Sequence, residues 1–233
     1  MRMDKLIELA GREYRVIAHS VIGIGKVENQ DSFRVYSDPE NLIVVVCDGL
    51  GSAPFSREGA EKACSIAIEC LKEWKDENIR SEIFHRWKDS VGGKPLLYDT
   101  TLKFIRIGKT NITIGGVGDG WIVLSKDGEQ PSIYSQDHVF SNQTDSLMTF
   151  DLKEKFWMKT MSANSCDFFL ISTDGFSEDM EASDISPFVT DTCGSIDKDH
   201  DGFEKELIST LSNWPIKTNA DDKTVVMIRR VKR

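Results

Sequence analysis

Four aspartates in this sequence share one setting. Asp48 follows the apolar run NLIVVVC and precedes Gly49, and Asp174 follows FFLIST and precedes Gly175. Asp119 lies between TIGGVG and GWIVL, and Asp221 precedes DKTVVMIRR. An acid beside a glycine, taken singly, is an ordinary turn residue. Four acids at the rims of apolar strands suggest a shared task, because a strand end fixes the backbone while the adjoining loop opens to solvent. Carboxylates crowded together lose water and repel one another, and they take up protons unless cations balance them. Hard divalent ions do this through oxygen ligands. With no Cys/His cluster, the pattern points to Mg2+ or Mn2+ and away from zinc. Gly49 has two readings: its carbonyl can face a metal, or it takes a positive φ in a turn. The small residues Gly51, Ser52 and Ala53 would leave such a site open to a bulky substrate, and would equally suit a tight loop.

The elements that must position these acids are legible from periodicity. Residues 13–21 and 31–37 read as strands, the second by alternation, and 41–48 reads as a central strand buried on both faces. From Ser56, a plausible N-cap, residues Ala60, Ala63, Cys64, Ala67, Ile68 and Leu71 recur at helical spacing. A second helix over 79–90 carries Ile79, Ile83, Phe84 and Trp87 on one face, and VGGKP at 91–95 breaks it. TTLKFIRI, TNITIGGVG and GWIVLSKDG follow as three strands, the last closed by an Asp-Gly turn. Residues 139–165 are weakly patterned. CDFFLIST is a buried strand, 201–214 a helix and 223–231 a final strand, while residues 1–12 read as a helix or a loose arm. Strands in runs with helices grouped between them indicate an α+β fold and a single domain over 1–233.

Composition narrows the functional classes. The chain has 233 residues, 39% of them apolar, and a formal charge of −9. That balance argues against nucleic acid as a partner, and the basic stretch 229–233 reads as a solvated strand end. No apolar run approaches a membrane span and no signal-peptide core follows Met1, so a cytoplasmic protein without membrane attachment is expected. The five scattered cysteines form no CxxC pair and read as buried, reduced thiols.

The order of motifs resembles the metal-dependent serine/threonine protein phosphatases of type 2C. The matches are KVENQDSF at 26–33, VVVCDGLGSAPFSREGAEKA at 44–63, TTL at 100–102, GGVGDGWIVL at 115–124, QDH at 136–138, FFLISTDGFSEDM at 168–180 and DDKTVVMI at 221–228. The resemblance implies a four-layer α-β-β-α sandwich, two antiparallel sheets flanked by helices, with a dimetal site at one end. It implies that Asp48 bridges two Mn2+ or Mg2+ ions, that the Gly49 carbonyl binds one, and that Asp174 and Asp221 bind the other. Asp119, with Asp174, would serve a looser third site. Within DDKT it is Asp221, not Asp222, that falls on the ligand position.

The sequence also departs from the family. Lys26 stands where the family usually has an arginine for the substrate phosphate, and an ammonium lacks the bidentate fork. Gln30 stands where an acid is common, whereas Asp31 keeps its place. Leu50 replaces a histidine that some members carry. His138 reads as a structural polar residue, and Glu178 as a solvated acid near the third site. The resemblance implies hydrolysis of phosphoserine and phosphothreonine in protein substrates, with a serine/threonine kinase or its targets as partners. The alternative is a weak or inactive regulatory module with the same fold.

Overall fold

Asn41–Asp48 (β4) is apolar at every position between its ends, so each face of the strand needs a cover. The computed structural model, which describes residues 1–74, 78–136, 144–149, 151–181, 183–214 and 219–232, supplies both. β4 lies in a five-stranded antiparallel sheet with Asp31–Ser37 (β3), Leu102–Gly108 (β5), Asn111–Val117 (β6) and Trp157–Ser162 (β9), in the order β3-β4-β5-β6-β9. A six-stranded antiparallel sheet contains Arg2–Leu9 (β1), Arg12–Val21 (β2), Ile122–Ser125 (β7), Ser132–Tyr134 (β8), Phe168–Ser172 (β10) and Lys223–Arg230 (β11), in the order β1-β2-β11-β10-β7-β8.

The inner faces interlock through Val44, Val46, Ile105 and Ile114 from one sheet and Phe169, Ile171, Val226 and Ile228 from the other. On the outer face of the five-stranded sheet, helices Ser56–Glu73 (α1) and Ile79–Val91 (α2) bury Ala63, Ala67, Ile83 and Trp87 against Ile43, Val45 and Phe104. On the outer face of the six-stranded sheet lies the long helix Ile185–Ser212, with Val189, Ile196 and Leu207 against Ile17, Leu170 and Met227. The result is the expected α-β-β-α layering of two antiparallel sheets between helices.

Several local expectations are corrected. Residues 2–9 are neither helix nor arm: β1 pairs with β2 along its whole length, with Ile7 and Leu9 turned to the core. Strand β9 emerges from the weakly patterned stretch 139–165 as an edge of its sheet, paired only with β6, where no position is fully buried. The long helix begins at Ile185, sixteen residues before the predicted start, and breaks at Asp199, whose φ/ψ is non-helical. Ser56 does not cap α1; its Oγ accepts a 2.7 Å hydrogen bond from Gln30 Nε2. His138 lies outside the described residues.

Candidate active site

Strand parity carries the acids to one place. Along β4, Leu42, Val44 and Val46 face the opposing sheet, so Asp48 continues that row at the rim. Along β3, Phe33 faces inward as well, which puts Asp31 on the same face, directly opposite Asp48 in the pairing register. In the other sheet, Ile171 and Val226 face inward, and their rows continue to Thr173 and Thr224. Asp174 opens the short helix Asp174–Ser177, and Asp221 and Asp222 precede β11. The seam between the sheets therefore ends in carboxylates. Above it opens a cleft of about 650 Å³ lined by Lys26, Gln30, Asp48, Gly49, Asp174 and Asp221, among others.

These acids feel one another strongly. Burial, and then the carboxylates of Asp31 and Asp174, push the Asp48 carboxyl well above the ordinary carboxylate range. Asp174 is raised by burial, and its carboxylate is in hydrogen-bonding contact with that of Asp48. Burial also lifts Asp31 to about 7, against hydrogen bonds from Thr224 and Thr173; the Thr173 contact is 2.9 Å. One oxygen of Asp174, Oδ1, is buried with no hydrogen-bond partner. A buried carboxylate oxygen without a donor is costly, and a hard cation in the cleft would satisfy it. Asp119 lies close enough to raise Asp174 further, and its Oδ2 accepts a 2.7 Å bond from Thr144. Glu178, at the exposed margin, is raised by partial desolvation and then by Asp174, Asp221 and Asp119, so it overlooks the same group.

Lys26 lies inside the cleft wall. Its ammonium contacts Asp221 Oδ1 and, at 3.1 Å, Asp222 Oδ2. Partial burial lowers its pKa, but the two aspartates outweigh that effect and hold it above the usual lysine value. Asp222 is almost fully buried, and its carboxylate accepts bonds from the backbone N–H groups of Gly23 and Gln30, both at 2.8 Å. It straps the loop carrying Lys26 onto β11, while Asp221 faces the cleft. Gln30 spends its amide nitrogen on Ser56. Gly49 is not in the positive-φ region: a Cβ there would come within 2.7 Å of Ser56 backbone atoms, so the glycine is needed where α1 closes on the site. Leu50 lines the cleft.

Sequence reasoning missed several supporting residues. Thr101 Oγ1 accepts from the Asp48 N–H at 3.0 Å, and Thr100 Oγ1 donates to the Asp48 carbonyl at 2.8 Å, so the hydroxyl pair of TTL clamps the end of β4. Lys103 shares the inward face of β5 with Ile105 and Ile107 and is 2% exposed. Its ammonium reaches the carbonyls of Gly118 (2.7 Å) and Asp119. Burial lowers it to about 8, against the pull of Asp119, Asp174 and Asp48. Thr100 and Thr101 lie just before β5 and carry no periodic pattern, and Lys103 shows in the sequence only as a cation within a largely apolar run.

A family model described as protein phosphatase 2C matches residues 25–212, most of the chain. The chain belongs to the protein phosphatase 2C family. Among solved structures, a magnesium complex of RsbX superposes with a TM-score of 0.66 at 19% identity, covering 98% of this chain and 100% of that one. The catalytic domain of the serine/threonine protein phosphatase PstP, in complex with two manganese ions, gives 0.65 at 17% identity, covering 94% and 99%. Serine/threonine phosphatase Stp1 from Staphylococcus aureus gives 0.69 at 12% identity, covering 92% and 94%. At these identities the superpositions show the shared fold. No curated protein sequence matches the chain significantly. No helix among the described residues is long and apolar enough to cross a membrane.

Proposed function

We propose that this 2C-family chain hydrolyses phosphoserine and phosphothreonine in proteins with Mn2+ or Mg2+. The observation that carries the reading is the carboxylate-lined end of the seam, where Asp48 and Asp174 are pressed together and one Asp174 oxygen has no donor. Asp48, Asp174, Asp221 and the Gly49 carbonyl would hold two ions tightly, and Asp119 with Asp174 a looser third. When bound, the ions supply Lewis acidity that activates a water and offsets phosphoryl charge. The protein's own part is placement. Thr100 and Thr101 fix the Asp48 backbone, Asp222 holds the Lys26 loop against the cleft, and Lys26 draws the substrate phosphate. No cysteine or serine nucleophile is required. Protein substrates, a serine/threonine kinase acting on them, a cytoplasmic setting and a signalling role complete the reading.

One observation favours the second reading, a catalytically weak module: the Lys26 ammonium is engaged by Asp221 and Asp222. A phosphothreonine peptide, assayed beside a small phosphate ester with Mn2+ and again after complete chelation, decides between them. Metal-dependent release of phosphate from the peptide is expected. Turnover that survives chelation sinks the metal mechanism. An inactive wild type that Lys26→Arg alone restores establishes the weak module.

A further inference from the structure

Two lysines are buried among the described residues, one in each sheet: Lys103 on β5 and Lys223 on β11. A buried ammonium needs acceptors around it. Each of these finds them in main-chain carbonyls beside an acid of the cleft. Lys103 Nζ donates to the carbonyls of Gly118, at 2.7 Å, and of Asp119. Lys223 Nζ donates to the carbonyls of Asp221, at 2.9 Å, and Asn219, at 3.2 Å, and to the Asn219 side-chain oxygen at 3.0 Å. The two sheets thus repeat one arrangement, a lysine near the start of a strand tied to the backbone of a turn that carries a carboxylate.

Both turns need such a hold. Asp119 stands between Gly118 and Gly120, at φ +100° and +86°, where the missing side chains leave the backbone free to move. The Asp221 N–H donates to Asn219 Oδ1 at 3.2 Å, and Asn219 Nδ2 donates to the Gly175 carbonyl at 3.0 Å, so the Lys223 knot also reaches the neighbour of Asp174. As charges, the two ammoniums work against cation binding: Lys103 is attracted to Asp119, Asp174 and Asp48, and Lys223 to Asp221. An uncharged donor would satisfy the same carbonyls without repelling a divalent ion. What lysine offers is reach and three donors, enough to tie two carbonyls at once.

We infer that Lys103 and Lys223 are positioning residues for the proposed metal centre: each ties down the backbone of one ligand-bearing turn, Lys103 for Asp119 and Lys223 for Asp221, and so fixes where that carboxylate stands. This rests on the metal-dependent reading above and adds to it the residues that hold two of its ligands. The division is specific. Lys103 serves the looser third site, and Lys223 serves the tight pair.

The test is Mn2+ binding by isothermal titration calorimetry, without substrate, to wild type, Lys103→Met and Lys223→Met. Methionine keeps an apolar stem and removes both the charge and the donors. Lys103→Met should weaken the loose site about tenfold, the low end for losing a residue that orients a ligand, and leave the tight pair unchanged. Lys223→Met should weaken the tight pair by a similar factor. The sign is decisive, because deleting a neighbouring positive charge by itself tightens cation binding. Tighter Mn2+ binding in either variant would make that lysine a counter-charge and overturn the inference, as would unchanged affinities or an equal loss at every site. Melting in chelator is read first, since both variants leave carbonyls without their donor. Where a methionine variant does not fold, Lys103→Gln or Lys223→Gln, which keeps N–H donors on a shorter side chain, is titrated in its place with the same loss expected. Glutamine variants that also fail to fold would assign the lysines to the fold alone, and that too overturns the inference. A wild type that takes up no Mn2+ defeats the metal-dependent reading and this inference with it, whereas a wild type that binds Mn2+ no better than its lysine variants defeats the positioning role alone.

Discussion

The two ends of the sandwich treat buried charge in opposite ways. At the end away from the cleft, the guanidinium of Arg229 is 1% exposed, and every hydrogen bond it makes goes to Asp127 or Asp197, at 2.7–3.2 Å. Lys232 adds a second cation on Asp127 at 2.9 Å. Charge there is matched from within the chain. At the cleft end, the six carboxylates of Asp31, Asp48, Asp119, Asp174, Asp221 and Asp222 face three ammoniums among the described residues, those of Lys26, Lys103 and Lys223. The same ingredients thus make a closed structural clasp at one end and an open demand for cations at the other. Local pairing, more than the number of acids, separates a brace from a binding site.

The largest effect expected from breaking this contrast is at Asp48. Asp48→Asn should lower metal-dependent turnover by at least on the order of 10³-fold, because the ions would lose their central carboxylate. Its melting temperature in chelator should rise, since the crowding is relieved. An unchanged melting temperature, measured by calorimetry without metal, would show that the acids do not strain the metal-free fold.

At the far end the same kind of deletion should act on stability alone. Arg229→Met leaves Asp127 and Asp197 facing each other; because both are about a third exposed, the cost should sit at the low end for a broken buried pair, roughly 3 kcal/mol, or on the order of 6–12 °C in Tm. Activity per folded molecule and Mn2+ affinity should be unchanged. A selective loss of metal binding in this variant would erase the distinction between the ends.

A graded effect sharpens the comparison through pH. Asp127 is held low by hydrogen bonds from Arg229, so its stability is present above the ordinary carboxylate pKa and is lost as pH falls through its depressed value. The cleft acids run the other way. Asp31 titrates at about 7 in the folded chain, and Asp48 and Asp174 are also raised, so the folded state keeps protons that the unfolded chain releases near pH 4. Without metal, stability should therefore fall as pH rises from about 4 to about 7, and Mn2+ should cancel the fall. Metal-free melting curves that climb steadily through that window would contradict it.

Much of this was legible in the sequence where periodicity was strong. β3 and β4 matched their predicted spans because one alternates and the other is apolar throughout. Edge strands were not: β1 mixes Asp4 and Lys5 with Ile7 and Leu9, and β9 buries little, so neither carries a strong pattern. The first half of the long helix, with Pro187 and several β-branched and acidic residues, lacks helical propensity and is held by packing. At the site, acids ending apolar strands announced themselves. Lys103 did not, because in TTLKFIRI it occupies a slot that an alternating strand would normally turn to solvent. Asp222 shows in the sequence only as the neighbour of a ligand, because its role, strapping a distant loop, depends on a contact that spacing cannot reveal.

That strap bears on how the molecule is assembled. Asp222 holds Gly23, 199 residues earlier in the chain, and the strand that follows it, β11, sits in the middle of its sheet between β2 and β10. During synthesis the early strands must wait, with the centre of their sheet missing, until residues 223–230 emerge. Such distant pairings make for slow folding. The cleft cannot take shape on a shorter nascent chain, so binding competence and completion of the sheet arrive as a single late event.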